Sequence, residues 1–176
     1  MHVKPRIVTL AGLLTAFVAI LLVLSSVIES NSLFLIAAAS FCVGIVIREW
    51  GIWSGMSFLA ASTILCLVIT PNKFYCITYA VMGLYLLMSE LLWRWIVGIK
   101  KIKRHKMLFW LGRYVLFNCI YIPAVLFFQE ILFSKSVSDM LLIGCILVGQ
   151  IVLLIYEKAY AYFQTMVWGR LRNKLL

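Results

Sequence analysis

The sequence predicts an all-α, polytopic membrane protein with six transmembrane helices, both termini in the cytoplasm and a short interfacial C-terminal helix. Of its 176 residues, 65% are hydrophobic and only 12% are charged, against about 45–50% and about 25% in an average soluble domain. The apolar runs are continuous and do not alternate, which is typical of spanning helices and not of a membrane β-barrel. The length suits a single domain, 1–176.

A basic stretch in the middle of the chain fixes the predicted orientation. Gly98–Lys106 carries five cations in nine residues between two apolar runs, and short loops rich in Lys and Arg stay on the cytoplasmic side of a membrane. Lys4 and Arg6 place the amino terminus on the same side. These two anchors agree only if an even number of spans lies between them.

The second apolar run is therefore predicted to cross the membrane, although it is short. Leu33–Ile47 has 15 residues, which reach about 22 Å at about 1.5 Å per residue, less than the hydrocarbon thickness of about 30 Å. Local thinning of the bilayer and a snorkelling Arg48 would accommodate it. The six predicted spans are 7–28, 33–47, 51–70, 74–97, 107–128 and 140–156.

The connections follow from this arrangement. Arg48-Glu49-Trp50 is predicted as a tight cytoplasmic turn, and Pro71-Asn72-Lys73 as an external turn with typical Pro and Asn chemistry. The region 129–139 is the longest external connection. The tail 157–176 is aromatic and partly amphipathic, which favours a short helix in the inner interface. The alternative is a tilted sixth span that is longer than 140–156.

The formal charge of +10 has its explanation in the membrane. Cations that set topology and meet the anionic headgroups of the lipid bilayer account for it, so we expect no nucleic-acid partner. The first apolar run is too long for a cleaved signal peptide and is kept as a helix. All five cysteines lie in apolar runs without C-x-x-C spacing and are predicted to be small, reduced hydrophobic residues: Cys42, Cys66, Cys76, Cys119 and Cys145.

Enzyme motifs are lacking in the sequence. His2 and His105 both lie in polar segments, so neither is expected to serve a metal or a nucleophile within the membrane. Gly51-Ile-Trp-Ser-Gly55 resembles a serine-hydrolase motif only superficially, because its spacing is wrong and no base accompanies it. We therefore predict no enzyme, no catalytic residue, no metal site and no cofactor.

Charged residues within the spans are candidates for function, because each costs about 2.5 kcal/mol or more near the bilayer centre. Glu90 and Arg94 are four residues apart and share one helix face. Arg113 enters the fifth helix about 9 Å above the basic loop by helical rise. The three are predicted to form an intramembrane charge network that serves coupling or gating, or else a snorkelled ion pair that fixes packing.

Polar side chains in the spans and in the outer turns are candidates for solute binding. Two of them lie nearer the middle of the membrane, where hydrogen bonds between helices are the alternative explanation. Others cluster toward the outer end, where an aromatic belt would explain the tyrosines equally well. The candidate set is Asn72, Tyr75, Tyr79, Asn118, Gln129 and Gln150.

Small residues on the first helix form overlapping small-x-x-x-small patterns. Such patterns allow a second helix to approach closely, and that helix belongs either to this chain or to a partner. The predicted partner interface consists of Ala11, Gly12, Thr15, Ala16 and Ala19.

The layout resembles that of the membrane-embedded substrate-binding subunits of energy-coupling factor transporters. The shared features are a basic amino terminus, a first helix with Ala and Gly spacing, a short second helix and the entry Trp50-Gly51-Ile-Trp-Ser-Gly55 into the third. The run Arg48-Glu-Trp-Gly-Ile-Trp-Ser-Gly55, through Pro71-Asn-Lys-Phe74, is also similar to a group of small six-helix membrane proteins of Gram-positive bacteria. The resemblance implies a bacterial plasma-membrane location.

The resemblance implies a solute-binding subunit of a multi-subunit uptake transporter, for a small molecule such as a vitamin. The face around Gly12 and Ala16 would dock on a transmembrane coupling subunit, which works with separate ATPase subunits, and the solute would bind from the outer half. The alternative is a membrane scaffold, or an assembly or regulatory protein, that binds no ligand.

Overall fold

The computed structural model describes residues 5–98, 105–133 and 139–170, with side chains over 8–28, 30–98, 107–125 and 144–170. All regular structure in these residues is helical. Six of the described helices are long and apolar enough to cross a membrane, which confirms the predicted all-α class with six candidate spans. The helices are α1 (Pro5–Val27), α2 (Ser32–Trp50), α3 (Ile52–Ile69), α4 (Lys73–Gly98), α5 (His105–Phe133) and α6 (Asp139–Tyr162).

Several predicted features fall outside this description. They are Lys4, the greater part of the basic loop and the residues beyond 170, together with the side chains of Arg6 and Gln129. The helices group into two compact units, Met1–Leu91 and Leu92–Leu176. That the chain is one domain, 1–176, stays a prediction.

Unit 1 contains α1, α2, α3 and the larger part of α4. Its core consists of apolar side chains from all four helices, such as Val18, Ile36, Val43, Phe58 and Leu87. Helix α2 contributes most, because its residues from Ala39 to Ile47 are all buried. Within unit 1, α2 is therefore the central helix.

The second helix is not short. It runs over Ser32–Trp50, 19 residues, which reach about 28 Å by helical rise. The prediction that Arg48, Glu49 and Trp50 form a turn is wrong, since all three are helical. Arg48 lies in the last turn of α2, where a cation faces the negative end of the helix dipole.

The connection between α2 and α3 is the single residue Gly51. Its backbone φ of 90° lies in a region that residues other than glycine rarely adopt. The amide of Gly51 donates to the carbonyl of Ile47 at 3.0 Å and its carbonyl accepts from the amide of Gly55 at 3.1 Å. One glycine thus ends one helix and starts the next.

Unit 2 contains the end of α4, α5 and α6. Helix α5 continues through Pro123. Helix α6 passes without interruption into a π-helical segment, Phe163–Trp168. As far as residue 170 the tail is therefore not a separate helix but a continuation of α6, which agrees in length with the alternative of a longer sixth span; the tilt of that span stays a prediction.

Candidate functional site

A groove of about 470 Å³ lies at the end of unit 1 that carries the turn between α3 and α4. We call it the turn groove. Ser26, near the end of α1, contributes one wall, and the turn together with the first residues of α4 contributes the other. Two predicted solute-binding residues, Asn72 and Tyr75, are among those that line it: Ser26, Pro71, Asn72, Lys73, Phe74 and Tyr75.

Local hydrogen bonds hold the turn that forms this wall. The Oδ1 atom of Asn72 accepts from the amide of Phe74 at 3.1 Å, and its carbonyl accepts from the amide of Tyr75 at 3.3 Å. The ammonium of Lys73 donates to the carbonyl of Thr70 at 3.1 Å and also to that of Leu67. Lys73 thereby satisfies carbonyls that the end of α3 leaves without helical partners.

Below the groove, α3 and α4 are joined by three successive contacts, which we call the α3–α4 rungs. The first is a disulfide between Cys66 and Cys76, with Cα atoms 5.7 Å apart. The second is a hydrogen bond of 2.7 Å between the hydroxyls of Ser62 and Tyr79. In the third, the side chain of Leu59 lies directly over Gly83.

The disulfide corrects the prediction that every cysteine is reduced. Cys42, Cys119 and Cys145 are free, but Cys66 and Cys76 are bonded. A search for C-x-x-C spacing cannot detect this pair, because the two residues face each other across antiparallel helices. The sequence signal for this pair is their equal spacing from the turn: each cysteine lies five positions from Pro71, the first residue of the predicted turn. Residues equally far from a turn lie at the same level of two antiparallel helices.

Tyr79 is not available to a solute from the groove. Its side chain is completely buried in the core of unit 1, and its hydroxyl is the partner of Ser62. The Ser62 hydroxyl lies 2.7 Å from the carbonyl of Phe58 and donates its one hydrogen there, so Tyr79 donates to Ser62. Tyr79 therefore stabilises packing within unit 1.

Asn118 and Gln150 meet each other in unit 2. The Nε2 atom of Gln150 donates to Oδ1 of Asn118 at 2.8 Å, and Asn118 also donates to the carbonyl of Tyr114 at 2.9 Å. This is the interhelical bonding that was the alternative to solute binding. Asn72 and Tyr75 are the predicted binding residues that line the turn groove.

A further polar contact between α5 and α6 involves a residue that the sequence analysis did not select. Arg113 pairs with Glu157, with Nε and Oε1 3.0 Å apart and both side chains only about an eighth exposed, 13% and 11%. The Arg113 guanidinium also lies 5.1 Å from the ring centre of Phe109. Glu157 was assigned to the tail because the sixth span was drawn too short.

The other two charges of the predicted network lie on α4. The side chain of Glu90 is half-buried, and that of Arg94 is exposed. Arg113 is thus linked to α6 through Glu157, an acidic partner that was not considered. In the π-helical segment that follows α6, Gln164 is also buried, at 4% exposure, and it was not considered either.

The predicted partner face on α1 is open. Gly12 and Ala16 are exposed, and a Cβ added at Gly12 would meet no atom within 4 Å. The Thr15 hydroxyl donates to the carbonyl of Ala11 at 2.8 Å, which turns it onto its own helix. Ala11, Thr15 and Ala19 are partly buried.

No group of three or more His, Cys, Asp or Glu side chains suited to a metal ion occurs in the described part of the chain. Comparison with protein-family models, with curated proteins and with solved structures finds no match. The candidate sites are thus defined by the chain's own geometry: the turn groove of unit 1 and the open face of α1.

Proposed function

We propose that the chain is the membrane-embedded solute-binding subunit of a multi-subunit uptake transporter, and that its solute enters at the turn groove. The observation that carries this proposal is the groove itself, a shallow, open depression lined by the polar and aromatic side chains of Asn72 and Tyr75. Binding sites for small molecules usually carry such side chains.

The proposed topology puts the turn groove outside the cell. The cation-rich segments Lys4–Arg6 and Lys100–Lys106 would remain in the cytoplasm, and four helices between them return the chain to the same side. The turn between α3 and α4 then faces the exterior of a bacterial plasma membrane, where a solute such as a vitamin is met.

The direct test is thermal unfolding of the purified full chain with a panel of water-soluble vitamins and divalent metal ions. A ligand at 100 times its Kd adds about 2.7 kcal/mol to the free energy of unfolding. Tyr75→Ala should remove that stabilisation. Trp53→Ala, at an aromatic residue that is 81% exposed and at the opposite end of α3, should retain it. If no solute stabilises the protein, the proposal fails.

The open face of α1 supports the second part of the proposal, docking to a transmembrane coupling subunit that works with ATPase subunits. It equally supports the alternative function, a membrane scaffold or assembly protein without a ligand. A Cβ at Gly12 would meet no atom of the described residues within 4 Å, which leaves room there for close approach of a helix from another molecule. A solute that binds in the turn groove distinguishes the two functions.

Gly12→Leu tests this face. We expect the variant to insert into the membrane normally and to lose co-purifying proteins, because the longer side chain blocks close helix contact. Gly144→Leu on α6 is the matched control, since a Cβ at Gly144 also meets open space. Unchanged partner recovery in Gly12→Leu would remove this face from the proposal.

A further inference from the structure

We propose that Cys66 and Cys76 are a site of oxidative modification outside the cytoplasm, and that their disulfide holds the turn groove in shape. The inference rests on the proposed function for the orientation of the turn between α3 and α4. It adds the modification, the class of enzyme that makes it and its consequence for the groove.

The position of the disulfide connects it to the groove. The groove residues Pro71–Tyr75 all lie between the two bonded cysteines. Cys66 is in the last turn of α3 and Cys76 is in the first turn of α4. The bond therefore closes a short loop whose residues form one wall of the groove, and a closed loop has fewer conformations than an open one.

The compartment follows from redox chemistry. Thiols in the cytoplasm are kept reduced, and structural disulfides persist where the surroundings are oxidising. A disulfide at this turn is thus expected only if the turn faces the exterior. The redox state of the two cysteines involves no lysine or arginine, so it predicts the orientation independently of the charge distribution.

The chemistry needs an oxidant, and we assign it to an exoplasmic thiol–disulfide oxidoreductase. The thiolate of one cysteine attacks the enzyme's disulfide and forms a mixed disulfide, with release of one enzyme thiol. The thiolate of the second cysteine then attacks the sulfur of the first cysteine in the mixed disulfide. The bond to the enzyme breaks, and the other enzyme thiol is released. The chain loses two electrons and two protons, and the enzyme gains them.

Burial sets the time at which this happens. Cys66 is 2% exposed and Cys76 is completely buried in the folded unit, so an enzyme cannot reach either sulfur once α3 and α4 are packed. The exchange therefore precedes packing, and afterwards the same burial shields the bond from reductants.

The number of free thiols tests the modification. Cells expressing the full chain are quenched with acid, denatured and treated with a maleimide polymer that adds a fixed mass to each thiol. Of the five cysteines, we expect three adducts before reduction and five after it. Cys66→Ser should give four adducts in both cases, and the control Cys145→Ser two and four. A host that lacks its exoplasmic thiol oxidoreductase should give five adducts without reduction.

Five adducts before reduction in the normal host would overturn the proposal. Three adducts in the oxidoreductase-deficient host would overturn the assignment of the oxidant. Neither result depends on a solute, so failure of the solute-binding proposal and failure of this one are distinguishable.

The consequence for the groove is tested with two chains in which Cys42, Cys119 and Cys145 are replaced by serine. Asn72→Cys is introduced into a chain that keeps only Cys66 and Cys76, and into one in which both are serine. We expect the disulfide-bonded chain to melt about 4–10 °C higher and to show one uniform rate of maleimide labelling at position 72. Equal melting temperatures and equal labelling rates would contradict the role in shaping the groove.

Discussion

The helix pairs α3–α4 and α5–α6 are each held together by contacts between neighbouring helices, but the chemistry of those contacts differs. The α3–α4 rungs are a covalent bond, a neutral hydrogen bond and an apolar contact at a glycine, and all are buried in unit 1. The contacts between α5 and α6 are an amide pair and an ion pair, to which the Tyr121 hydroxyl adds a bond of 2.9 Å to the carbonyl of Cys145.

Burial explains the difference. In the most apolar windows of α3 and α4, 28% and 39% of the residues are buried inside the protein, against 6% for α5 and 11% for α6. Lipid is as apolar as a leucine side chain, so exposed apolar residues give α5 and α6 no reason to associate. Hydrogen bonds and ion pairs between the two helices do favour their association. Unit 1 thus depends on packing around an apolar core, whereas the α5–α6 pair depends on hydrogen bonds and charge.

The largest expected effect is at the ion pair of unit 2. Arg113→Met should lower the free energy of unfolding by about 3 kcal/mol, because it leaves the largely buried carboxylate of Glu157 without its cation. Unfolding of the purified chain in detergent with increasing denaturant would measure this.

The double variant Arg113→Met with Glu157→Leu is the control for this prediction. It should recover most of the loss, because no buried charge is left unpaired. A double variant as unstable as the single one would show that the charge pair is not what joins α5 to α6.

The next effect concerns close approach within the same pair. A Cβ at Gly149 would overlap the ring of Tyr121, so Gly149→Ala should cost about 1–3 kcal/mol through overpacking. Gly144→Ala, on the same helix with open space around it, should be neutral or slightly stabilising. Thermal unfolding of the two variants side by side makes the comparison, and equal stability would contradict the contact between Gly149 and Tyr121.

The smallest effect is expected at the neutral rung of unit 1. Tyr79→Phe removes one hydrogen bond but leaves Ser62 bonded to its own helix, so the loss should be about 1 kcal/mol. A loss above 3 kcal/mol would mean that unit 1, like unit 2, depends on polar bonds. Urea titration of Tyr79→Phe beside Tyr75→Phe, in which no core bond is removed, measures the difference.

The sequence predicts the helices well because apolar runs of membrane length have few alternatives. It fails where a charge lies just beyond the predicted end of an apolar run. Arg48, Glu49 and Glu157 were placed in turns or in the tail, yet each is helical, since long charged side chains reach polar surroundings or a partner without breaking the backbone. Hydropathy records the charge but not the direction in which the side chain extends.

The candidate site was predictable only in part. The turn at Pro71 was recognised from its residues, and with it Asn72 and Tyr75 at the groove. Which tyrosine faces outward depends on helix rotation, so Tyr75 and Tyr79 looked equivalent although Tyr79 is buried. Glu157 as the partner of Arg113 required the register between two helices, which a single sequence does not contain.

Gly51 has a consequence for how the chain is built. A connection of one residue leaves no polar loop that could wait at the membrane surface while the next helix is synthesised. Helices α2 and α3 are therefore expected to enter the bilayer together, as a hairpin. For the same reason, a tag or reporter domain inserted at Gly51 is expected to disturb the joint membrane insertion of α2 and α3.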